Sequence, residues 1–432
     1  MPTTINNENL FPYKPAKKIL LIEPPFYRFF KYRRWNYPVT LTLIGTHLES
    51  LGHKVIIYDG DFPDSDCKSY TRTEAQQNYP KYKNAITNDK HPIWDELIKV
   101  VSEVNPDIVM ITAITAKVAS ANILAHKIKE FSSGSIKIAF GGPHVQGIKT
   151  IWPDYNFGEY YDEIVTHIPG IVDITPNKKL ILNWEDYPAM DFSAILTSSG
   201  CPFKCTFCCH SYEKDYFFRN IESIDKELLE LKELFPSHKH LYVMDDSFLI
   251  NKSRFNEITK LFSKYDFTFS CGGNVSSITE EILDHFQKYG GTHLHLGIES
   301  GSQKVLKKVR KNVTIKDIID KTALLNERNI PWTAFIIVGF PFETIEDLNQ
   351  TKELLMKIQP TFISINKFTP YPGTDIYNEY YRDSNFDFSD LFQLNANNYL
   401  NLSSEHIQFI HHLFDYVDKY NDQKKDKRQV RK

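Results

Sequence analysis

The sequence predicts an α/β protein built from two parallel sheets in series. Two long stretches, 17–170 and 193–375, alternate short apolar strands with helical patterns, which is typical of parallel α/β architecture. No fixed-period repeat is visible, which excludes solenoids and propellers. The chain has 432 residues, 41% of them hydrophobic, which is enough material for more than one core. The predicted segments are an N-terminal leader (1–16), a first domain (17–170), a linker (171–192), a second domain (193–375) and a small helical C-terminal segment (376–432).

The first domain is predicted to be a doubly wound, Rossmann-like open sheet, because strand and helix patterns alternate throughout it. Strands are predicted at 17–26, at the end of 39–61, at 107–115 and at 136–142, and helices at the start of 39–61, near 93–103 and at 117–131. A tyrosine- and lysine-rich stretch, 62–91, is interpreted as an insertion. Ligands of such sheets lie at the carboxyl ends of the strands. The residues expected at that edge are Pro24, Asp59, Thr112, Thr115, Gly141, Gly142 and His144.

The second domain is predicted to be a partial (β/α)6 barrel. Strands are predicted at 193–200, 240–246, 267–273, 292–300, 331–341 and 361–368, and helices at 221–235, 252–265, 279–290, 315–329 and 344–358. Six strand–helix units are too few to close an eight-unit barrel, so an open barrel is expected. Its first strand leads directly into the most cysteine-rich part of the chain.

Composition and charge limit the kind of protein this is. Charged residues make up 24% of the chain and the formal net charge is −3, which is typical of soluble globular proteins. A dedicated nucleic-acid binder would carry a basic excess, and the one dense basic run, 424–432, is interpreted as a solvated tail. No run resembles a signal peptide or contains the roughly 20 apolar residues that span a bilayer. We therefore expect a cytoplasmic protein with reduced thiols and no membrane partner.

Four of the six cysteines fall within "SSGCPFKCTFCCHS" (198–211). Four thiolates could close a structural zinc site, and Cys205 with Cys208 could form a redox pair. Zinc–thiolate sites usually combine two separated pairs, however, and a redox pair leaves Cys201 unexplained. Three thiolates staggered on one loop suit a four-iron, four-sulfur cluster with one iron open to a substrate. Cys209 is interpreted as a small buried neighbour instead of a fourth ligand.

The spacing Cys-x3-Cys-x2-Cys after the first strand of a β/α domain resembles the signature of radical S-adenosylmethionine (SAM) enzymes. Four further segments are similar to those of this family in order and spacing: "MDDSF" (244–248), "GIESGSQKVLKKVRKNVT" (297–314), "FIIVGFPFET" (335–344) and "TPYPGT" (369–374). The resemblance implies that Cys201, Cys205 and Cys208 hold the cluster and that SAM binds its open iron. In this family the reduced cluster cleaves SAM to a 5′-deoxyadenosyl radical, which abstracts hydrogen from an unactivated carbon. The SAM contacts that the resemblance implies are Phe207, Asp245, Asp246, Glu299, Ser300, Gly339 and Pro341.

The first domain is similar to the cobalamin-binding domain that part of this family carries. The resemblance rests on "LESLGHKVIIYDGD" (48–61), "NPDIVMITAITAKVASANILAHKIKE" (105–130) and "KIAFGGPHV" (137–145). It implies that a corrin lies over the strand-end residues named above, where small side chains allow close approach. Asp61 stands where other cobalamin proteins have a cobalt-ligating histidine, and "DEIVTHIPG" (162–170) replaces the family's Gly-Glu-Gly-Glu segment. The alternative is a doubly wound scaffold that binds no cobalamin.

The leading functional hypothesis is a cobalamin-dependent radical SAM enzyme that methylates an unactivated carbon of a small molecule or peptide. One alternative is a radical SAM enzyme that catalyses a non-methylating rearrangement, cyclisation or oxidation. A second is a zinc or iron–sulfur protein without catalysis. The expected electron donor is a flavodoxin or ferredoxin-type protein. His210, Tyr212 and Asp246 are the nearest candidates for contacts with substrate, but no catalytic residue is assigned.

Overall fold

The computed structural model describes residues 3–5, 16–68, 72–166, 173–209, 216–393 and 402–429, and these belong to two compact units. The first unit contains Met1–Phe192 and Pro370–Asn397, and the second contains Ser193–Thr369 and Asn398–Lys432. His210 and Tyr212 lie outside the described residues.

The strands are β1 (Thr3–Ile5), β2 (Lys18–Glu23), β3 (Lys54–Asp59), β4 (Ile108–Thr112), β5 (Lys137–Gly141), β6 (Glu163–Val165), β7 (Ala194–Ile195), β8 (Ser198–Ser199), β9 (Phe217–Phe218), β10 (His240–Val243), β11 (Thr268–Asn274), β12 (Gly291–Glu299), β13 (Trp332–Val338) and β14 (Phe362–Lys367). The helices are α1 (Val39–Ser50), α2 (Arg72–Ile86), α3 (Pro92–Val104), α4 (Val118–Phe131), α5 (Pro143–Ile151), α6 (Ile221–Leu234), α7 (Lys252–Lys264), α8 (Glu280–Lys288), α9 (Gln303–Lys308), α10 (Ile315–Glu327), α11 (Ile345–Ile358), α12 (Asp375–Tyr380) and α13 (Ser404–Gln429).

The first unit is built on a six-stranded parallel sheet in the order β1-β6-β5-β4-β2-β3, which confirms the predicted doubly wound fold. Strand β2 lies inside the sheet, and its residues Ile19 to Ile22 are at most 1% exposed. A strand that is buried on both faces reads as a continuous apolar run, as this one does. The chain leaves β2 to one side for β3 and returns to the other side for β4. This reversal is the switch point at which such sheets bind ligands, beside the carboxyl ends of β2 and β4.

Two helices in the N-terminal part of the first unit, α2 and α5, were not predicted. Helix α2 occupies half of the stretch interpreted as an insertion, and it contains Pro80, which argues against a helix when only the sequence is read. Tyr79 and Tyr82 on this helix are buried, and their rings lie 6.2 and 4.7 Å from the ring of Phe26. Aromatic packing therefore stabilises a helix whose local sequence signal is weak. Helix α5 begins directly after Gly142, where the sequence showed only a glycine turn.

The second unit is built on a parallel sheet in the order β14-β13-β12-β11-β10-β7, in which each strand lies beside its predecessor. Helices α6, α7, α8, α10 and α11 connect the strands, so the predicted open (β/α)6 arrangement is confirmed. The predicted first strand is divided: β7 joins this sheet, whereas β8 pairs with β9 in a small antiparallel sheet. On β12, Leu294 and Leu296 are fully buried, whereas His295 and Gly297 line a cavity.

The C-terminal segment differs from its sequence-based boundary because its residues are divided between the units. Helix α12 belongs to the first unit, and α13 belongs to the second. The amide of Asn421 on α13 donates to the carbonyl of Ile363 and accepts from its N–H, both at 2.9 Å. Because β14 is the edge strand, this side chain satisfies backbone groups that would otherwise be open to pairing with another chain. Among the described residues, no helix combines the length and the apolar character needed to cross a membrane.

Candidate functional site

A cavity of about 290 Å³ lies at the carboxyl end of the second unit's sheet. Cys201, Cys205 and Cys208 line one side of it, so the structure brings the three predicted cluster ligands together. The remainder is lined by the end of β10 and the residues that follow it, by the ends of β11 and β12, by Phe335 on β13 and by Lys311. This is the face on which barrels of parallel strands place their active sites.

The loop that carries the cysteine triplet (Cys201, Cys205 and Cys208) is held by hydrogen bonds before the triplet and within it. Before the triplet, the carboxylate of Asp245 accepts hydrogen bonds from the N–H of Thr197 at 2.6 Å and from the hydroxyl of Ser198 at 2.6 Å. Within the loop, the N–H of Thr206 donates to the carbonyl of Val309 at 3.1 Å. Hydrogen bonds to a buried carboxylate, such as the two that Asp245 accepts, fix a loop more firmly than bonds between neutral groups. Asp245 therefore positions the loop, in addition to lining the cavity.

A second buried group reinforces the same strand. Arg219 is 1% exposed, donates to the carbonyl of Leu196 at 2.8 Å and pairs with Glu227 at 2.6 Å. Its own N–H donates to the carbonyl of Thr197. The guanidinium thus links helix α6 to the chain just before the cysteine triplet. Sequence reasoning did not single out this arginine.

The electrostatics of the triplet suit a cationic metal centre. Burial raises the pKa of the Cys201 thiol and raises that of Cys205 to about 11, while the nearby Lys311 ammonium acts in the opposite direction on both. Thiols with a raised pKa become thiolates at such a site only when a cation compensates the charge, and metal binding releases the thiol protons. Three clustered sulfurs beside a cavity therefore fit a cluster that keeps one iron open.

A buried ion pair lies beside the triplet. Lys311 Nζ is 2.9 Å from Glu299 Oε1, and the two side chains are 8% and 9% exposed. Burial alone would lower the pKa of Lys311, but the Glu299 carboxylate, Cys205 and Cys201 act together in the opposite direction and the pKa is raised. Gly297 makes room for this pair: a Cβ there would lie 2.3 Å from Glu299 Oε1 and 2.7 Å from Lys311 Nζ. Lys311 was missed because it closes a run of basic residues that looks like an exposed surface.

The predicted SAM contacts fall into two groups. Phe207, Asp245, Asp246 and Glu299 line the cavity with the cysteines, whereas Ser300, Gly339 and Pro341 are not among its lining residues. The buried Ser300 hydroxyl is instead 3.2 Å from that of Thr351 on α11. The N–H of Gly339 donates to Glu343 Oε2 at 2.6 Å, and its φ of +88° is one that glycine adopts easily. Pro341 follows in the same loop and is half-buried.

His295 is a further polar residue of the cavity that sequence reasoning missed. It lies on β12, and its ring is nearly parallel to that of Phe335, with centroids 5.7 Å apart. Burial lowers its pKa, so the imidazole is neutral at physiological pH. Its Nδ1 has no hydrogen-bond partner among the described residues. The residue lines the cavity although this nitrogen is itself buried, so rotation of the ring would present it to a ligand and satisfy it.

In the first unit, the predicted cobalamin contacts differ in exposure. Pro24, Asp59, Thr115 and His144 are buried, whereas Thr112, Gly141 and Gly142 are partly exposed. Gly142 has a φ of +102°, and a Cβ there would lie 2.5 Å from Thr112 Oγ1. Between Thr112 and Thr115, Ile114 is 39% exposed, so an apolar side chain reaches the surface at the switch point.

His144 is buried inside the first unit. Its ring centroid lies 4.9 Å from that of Phe388, and its Nδ1 lies 3.3 Å from Thr115 Oγ1. Burial lowers its pKa to about 3. The imidazole is therefore covered by its own unit, as expected of a histidine that packs inside a fold.

Buried charges occupy the ends of β2 and β3. Asp61 is 1% exposed, accepts from the N–H of Phe26 at 2.6 Å and pairs with Lys117 at 2.6 Å. Asp59 accepts from the hydroxyl of Tyr187 at 2.9 Å and pairs with Arg34. Both carboxylates face into the unit. Asp61 stands at the histidine position of the cobalt-ligating motif, and its lone pairs are engaged within the protein.

A triplet of cysteines after the first strand of an open (β/α)6 sheet, beside a cavity at the strand ends, defines the class of radical SAM enzymes. Comparison with known proteins agrees. Residues 195–355 match the model of the Radical SAM superfamily. The chain therefore carries a radical SAM domain, preceded by a doubly wound parallel sheet.

Similar proteins come from several organisms. An uncharacterized methyltransferase of Pyrococcus horikoshii is 26% identical over 66% of this chain and 71% of its own length. The anaerobic magnesium-protoporphyrin IX monomethyl ester cyclase of Rubrivivax gelatinosus is 25% identical over 69% of this chain, but the match spans only 62% of the cyclase.

Two solved structures share the fold. The radical SAM methyltransferase TsrM of Kitasatospora setae, solved with cobalamin and a [4Fe-4S] cluster, has a TM-score of 0.60 and 15% identity, covering 84% of this chain and 74% of TsrM. The cobalamin-dependent radical enzyme OxsB, solved with aqua-cobalamin and SAM, has a TM-score of 0.57 and 16% identity, covering 79% of this chain and 52% of OxsB. This chain thus shares its α/β fold with two radical SAM enzymes whose structures contain cobalamin.

Proposed function

We propose that this protein is a cobalamin-dependent radical SAM methyltransferase that acts on an unactivated carbon of a small molecule or peptide. The observation that carries the proposal is the cavity lined by the cysteine triplet and by the ends of β10, β11 and β12. When bound, the cluster and SAM supply the radical initiator, and cobalamin supplies the methyl carrier. The protein's own residues bind, orient and shield these groups.

The cluster is proposed to be held by Cys201, Cys205 and Cys208. Asp245 and Arg219 keep their loop in place, as described above. Phe207 lines the cavity, and its ring centroid lies 5.9 Å from that of Phe340. Aromatic side chains at this position exclude water from the iron–sulfur centre, which tunes its potential.

SAM is proposed to bind in the same cavity. Gly272 and Gly273 at the end of β11 line it, so backbone atoms are open to close approach. Asp246 is exposed to the cavity and provides a carboxylate for a cationic group of SAM. Glu299 is proposed to act beside the nucleoside, held by its ion pair with Lys311.

Cobalamin is proposed to lie over the switch point of the first unit. The partly exposed Thr112, Gly141 and Gly142, with the exposed Ile114, give a small and largely apolar surface that suits a flat corrin. His144 and Asp61 are both buried and engaged within the unit. Neither is therefore proposed as a cobalt ligand, and cob(II)alamin bound at this site should lack nitrogen coupling from His144 in its electron paramagnetic resonance spectrum.

His295 is proposed to orient the substrate, because its Nδ1 is unpartnered among the described residues and its ring is fixed against Phe335. The His295→Asn variant should raise KM for substrate while leaving the iron content and the substrate-free cleavage of SAM unchanged. His293→Asn is a matched control, since His293 lies on the same strand, bonds to Thr333 at 2.8 Å and is not among the cavity's lining residues. Equal effects of the two substitutions would argue against this role.

The proposal is tested by anaerobic reconstitution with iron, sulfide and cobalamin. One four-iron cluster per chain, bound cobalamin, and formation of 5′-deoxyadenosine and S-adenosylhomocysteine from SAM under reducing conditions are expected. Protein that binds zinc and no iron, or that leaves SAM intact under these conditions, would refute it.

A second candidate is a non-methylating radical reaction on the same scaffold. The similarity to the magnesium-protoporphyrin cyclase favours it, although that match spans only part of the cyclase. SAM with a deuterated methyl group separates the two candidates. A methyltransferase passes the label to its product, and a cyclase or other non-methylating enzyme does not.

A further inference from the structure

Three aromatic side chains lie along one side of the cluster cavity. Tyr242 on β10, His295 on β12 and Phe335 on β13 all line it, and they are here called the aromatic wall. The plane of the His295 ring makes an angle of 82° with that of Tyr242 and 13° with that of Phe335, and the ring centroids are 5.7 Å apart in both pairs. A cavity side of this kind favours a flat ligand that packs against the rings.

The aromatic wall carries two hydrogen-bonding groups that the described residues leave open. The Tyr242 hydroxyl has no hydrogen-bond partner among them, and neither has Nδ1 of His295. A half-turn of the imidazole about its Cβ–Cγ bond keeps the ring parallel to Phe335 and exchanges its two edges, so Nδ1 can reach a ligand. Burial raises the pKa of Tyr242 and lowers that of His295, so both groups are uncharged at neutral pH. Each of them can donate or accept a hydrogen bond.

The charged residues of the cavity are already engaged. Lys311 is the one basic residue among the described lining residues, and it pairs with Glu299 at 2.9 Å. The carboxylate of Asp245 accepts hydrogen bonds from the chain just before the cysteine triplet, and Asp246 is proposed to bind a cationic group of SAM. A charged group of a second ligand would therefore lose its water without gaining an opposite charge, which is strongly unfavourable.

The aromatic wall and the groups proposed for SAM lie at different levels of the sheet. Tyr242 lies within β10, whereas Asp246 follows that strand. His295 lies within β12, whereas Glu299 ends it. A ligand on the wall is therefore nearer to the middle of the sheet than SAM is, and one cavity can hold both.

We propose that the aromatic wall binds the part of the substrate that enters the cavity, and that this part is an uncharged planar group with both a hydrogen-bond donor and an acceptor, such as an aromatic amide or a lactam ring. The proposal rests on the proposed function, since it places the substrate beside the cluster and SAM. Tyr242 and His295 determine specificity through their hydrogen bonds, and Phe335 contributes packing surface.

Four probes of nearly equal shape test the chemistry. Benzamide carries a donor and an acceptor, benzoate is an anion, benzamidine is a cation, and α-methylstyrene has the planar shape without a polar group. Their affinities are measured by equilibrium dialysis against reconstituted protein with an oxidised cluster, which leaves SAM intact, with and without saturating SAM. Benzamide should bind about tenfold more tightly than either charged probe, because neither charge is compensated in the cavity. SAM should not displace it.

Tyr242→Phe should weaken benzamide binding about fivefold, because one hydrogen bond is lost. The affinity for α-methylstyrene should not change, which separates the lost hydrogen bond from a change in packing. Iron content and SAM affinity should stay as in the wild type. Tyr289→Phe is the matched control, since the Tyr289 ring packs against His285 at 4.3 Å and is not among the cavity's lining residues.

Equal losses of benzamide and α-methylstyrene in Tyr242→Phe, or the same loss in Tyr289→Phe, would overturn the proposal. Charged probes that bind as tightly as benzamide would overturn it as well. So would displacement of benzamide by SAM, because the wall would then belong to the SAM site. Wild-type protein that holds its cluster and SAM but binds no benzamide would overturn this inference and leave the proposed function intact, whereas protein that assembles no iron–sulfur cluster would refute the proposed function.

Discussion

Removal of the Lys311 ammonium should destabilise the site more than any single surface substitution. Lys311→Met keeps the length of the side chain but leaves the Glu299 carboxylate buried without its partner. Both side chains are less than a tenth exposed, so solvent screens their interaction little. Breaking one side of a buried ion pair costs about 3–5 kcal/mol. At 1.4 kcal/mol per factor of ten, this corresponds to an increase of about a hundredfold or more in local opening.

Hydrogen exchange followed by mass spectrometry measures this opening without requiring the two units to unfold together. Peptides that cover β12 should exchange about a hundredfold faster in Lys311→Met, whereas peptides from the first unit should be unchanged. Iron retention after reconstitution should also fall, because an unpaired carboxylate then lies beside the thiolates. Lys307→Met is the matched control, as Lys307 is exposed.

The double variant Lys311→Met/Glu299→Gln tests the physical reason. Replacement of both partners removes the uncompensated charge, so most of the lost protection should return. Exchange in Lys311→Met within about threefold of the wild type would refute the reasoning. A double variant that is less protected than the single variant would show that the ammonium acts through packing instead of through charge.

Three further predictions concern the same domain. Alanine at any position of the cysteine triplet should abolish iron binding and the visible charge-transfer absorbance, whereas Cys209→Ala should retain both. Loss of the cluster in Cys209→Ala would show that Cys209 is a cluster ligand. Burial raises the pKa of Glu343 from 4.5 to about 8, so the folded state holds a proton that the unfolded state releases. Stability should therefore fall as the pH rises from about 5 to 8, and Glu343→Gln should remove this slope in urea midpoints; parallel pH profiles would contradict the assignment. Gly272→Ala should fold normally, since the added Cβ meets only the Asp245 carbonyl oxygen at 3.7 Å. The same methyl group enters the cavity, so SAM binding measured by equilibrium dialysis should weaken about tenfold. An unchanged affinity would show that SAM binds elsewhere.

The two sheets were predictable because their strands are continuous apolar runs separated by amphipathic helices. Helix α2 was not, because Pro80 and many polar residues mask a helix that is stabilised by packing of Tyr79 and Tyr82. Local sequence patterns do not report contacts between residues far apart in the chain. The split of the predicted first strand into β7 and β8 was missed for the same reason, since the partner of β8 follows it by almost twenty residues.

In the candidate site, the cysteine triplet was predictable because its spacing is local. The Glu299–Lys311 pair was not, since an acidic and a basic residue twelve positions apart show no sequence signal until the fold joins them. Ser300 was placed with the SAM contacts from its motif, but its hydroxyl faces Thr351. Motif resemblance indicates which segment is near a ligand, and the direction of each side chain depends on packing.

The division of the C-terminal residues between the units has a consequence for biosynthesis. Phe392, whose ring stacks on that of Tyr79 at 5.7 Å, completes the first core, and Asn421 on α13 completes the edge of the second sheet. Both residues leave the ribosome after the strands and helices that they cover. Chains fold from the N-terminus during synthesis, so the first unit remains unfinished until Phe392 has been synthesised and the second until Asn421 has, with apolar surface open to chaperones in the meantime. A gene shortened at the predicted boundary of residue 375 would therefore yield two damaged units instead of two independent ones.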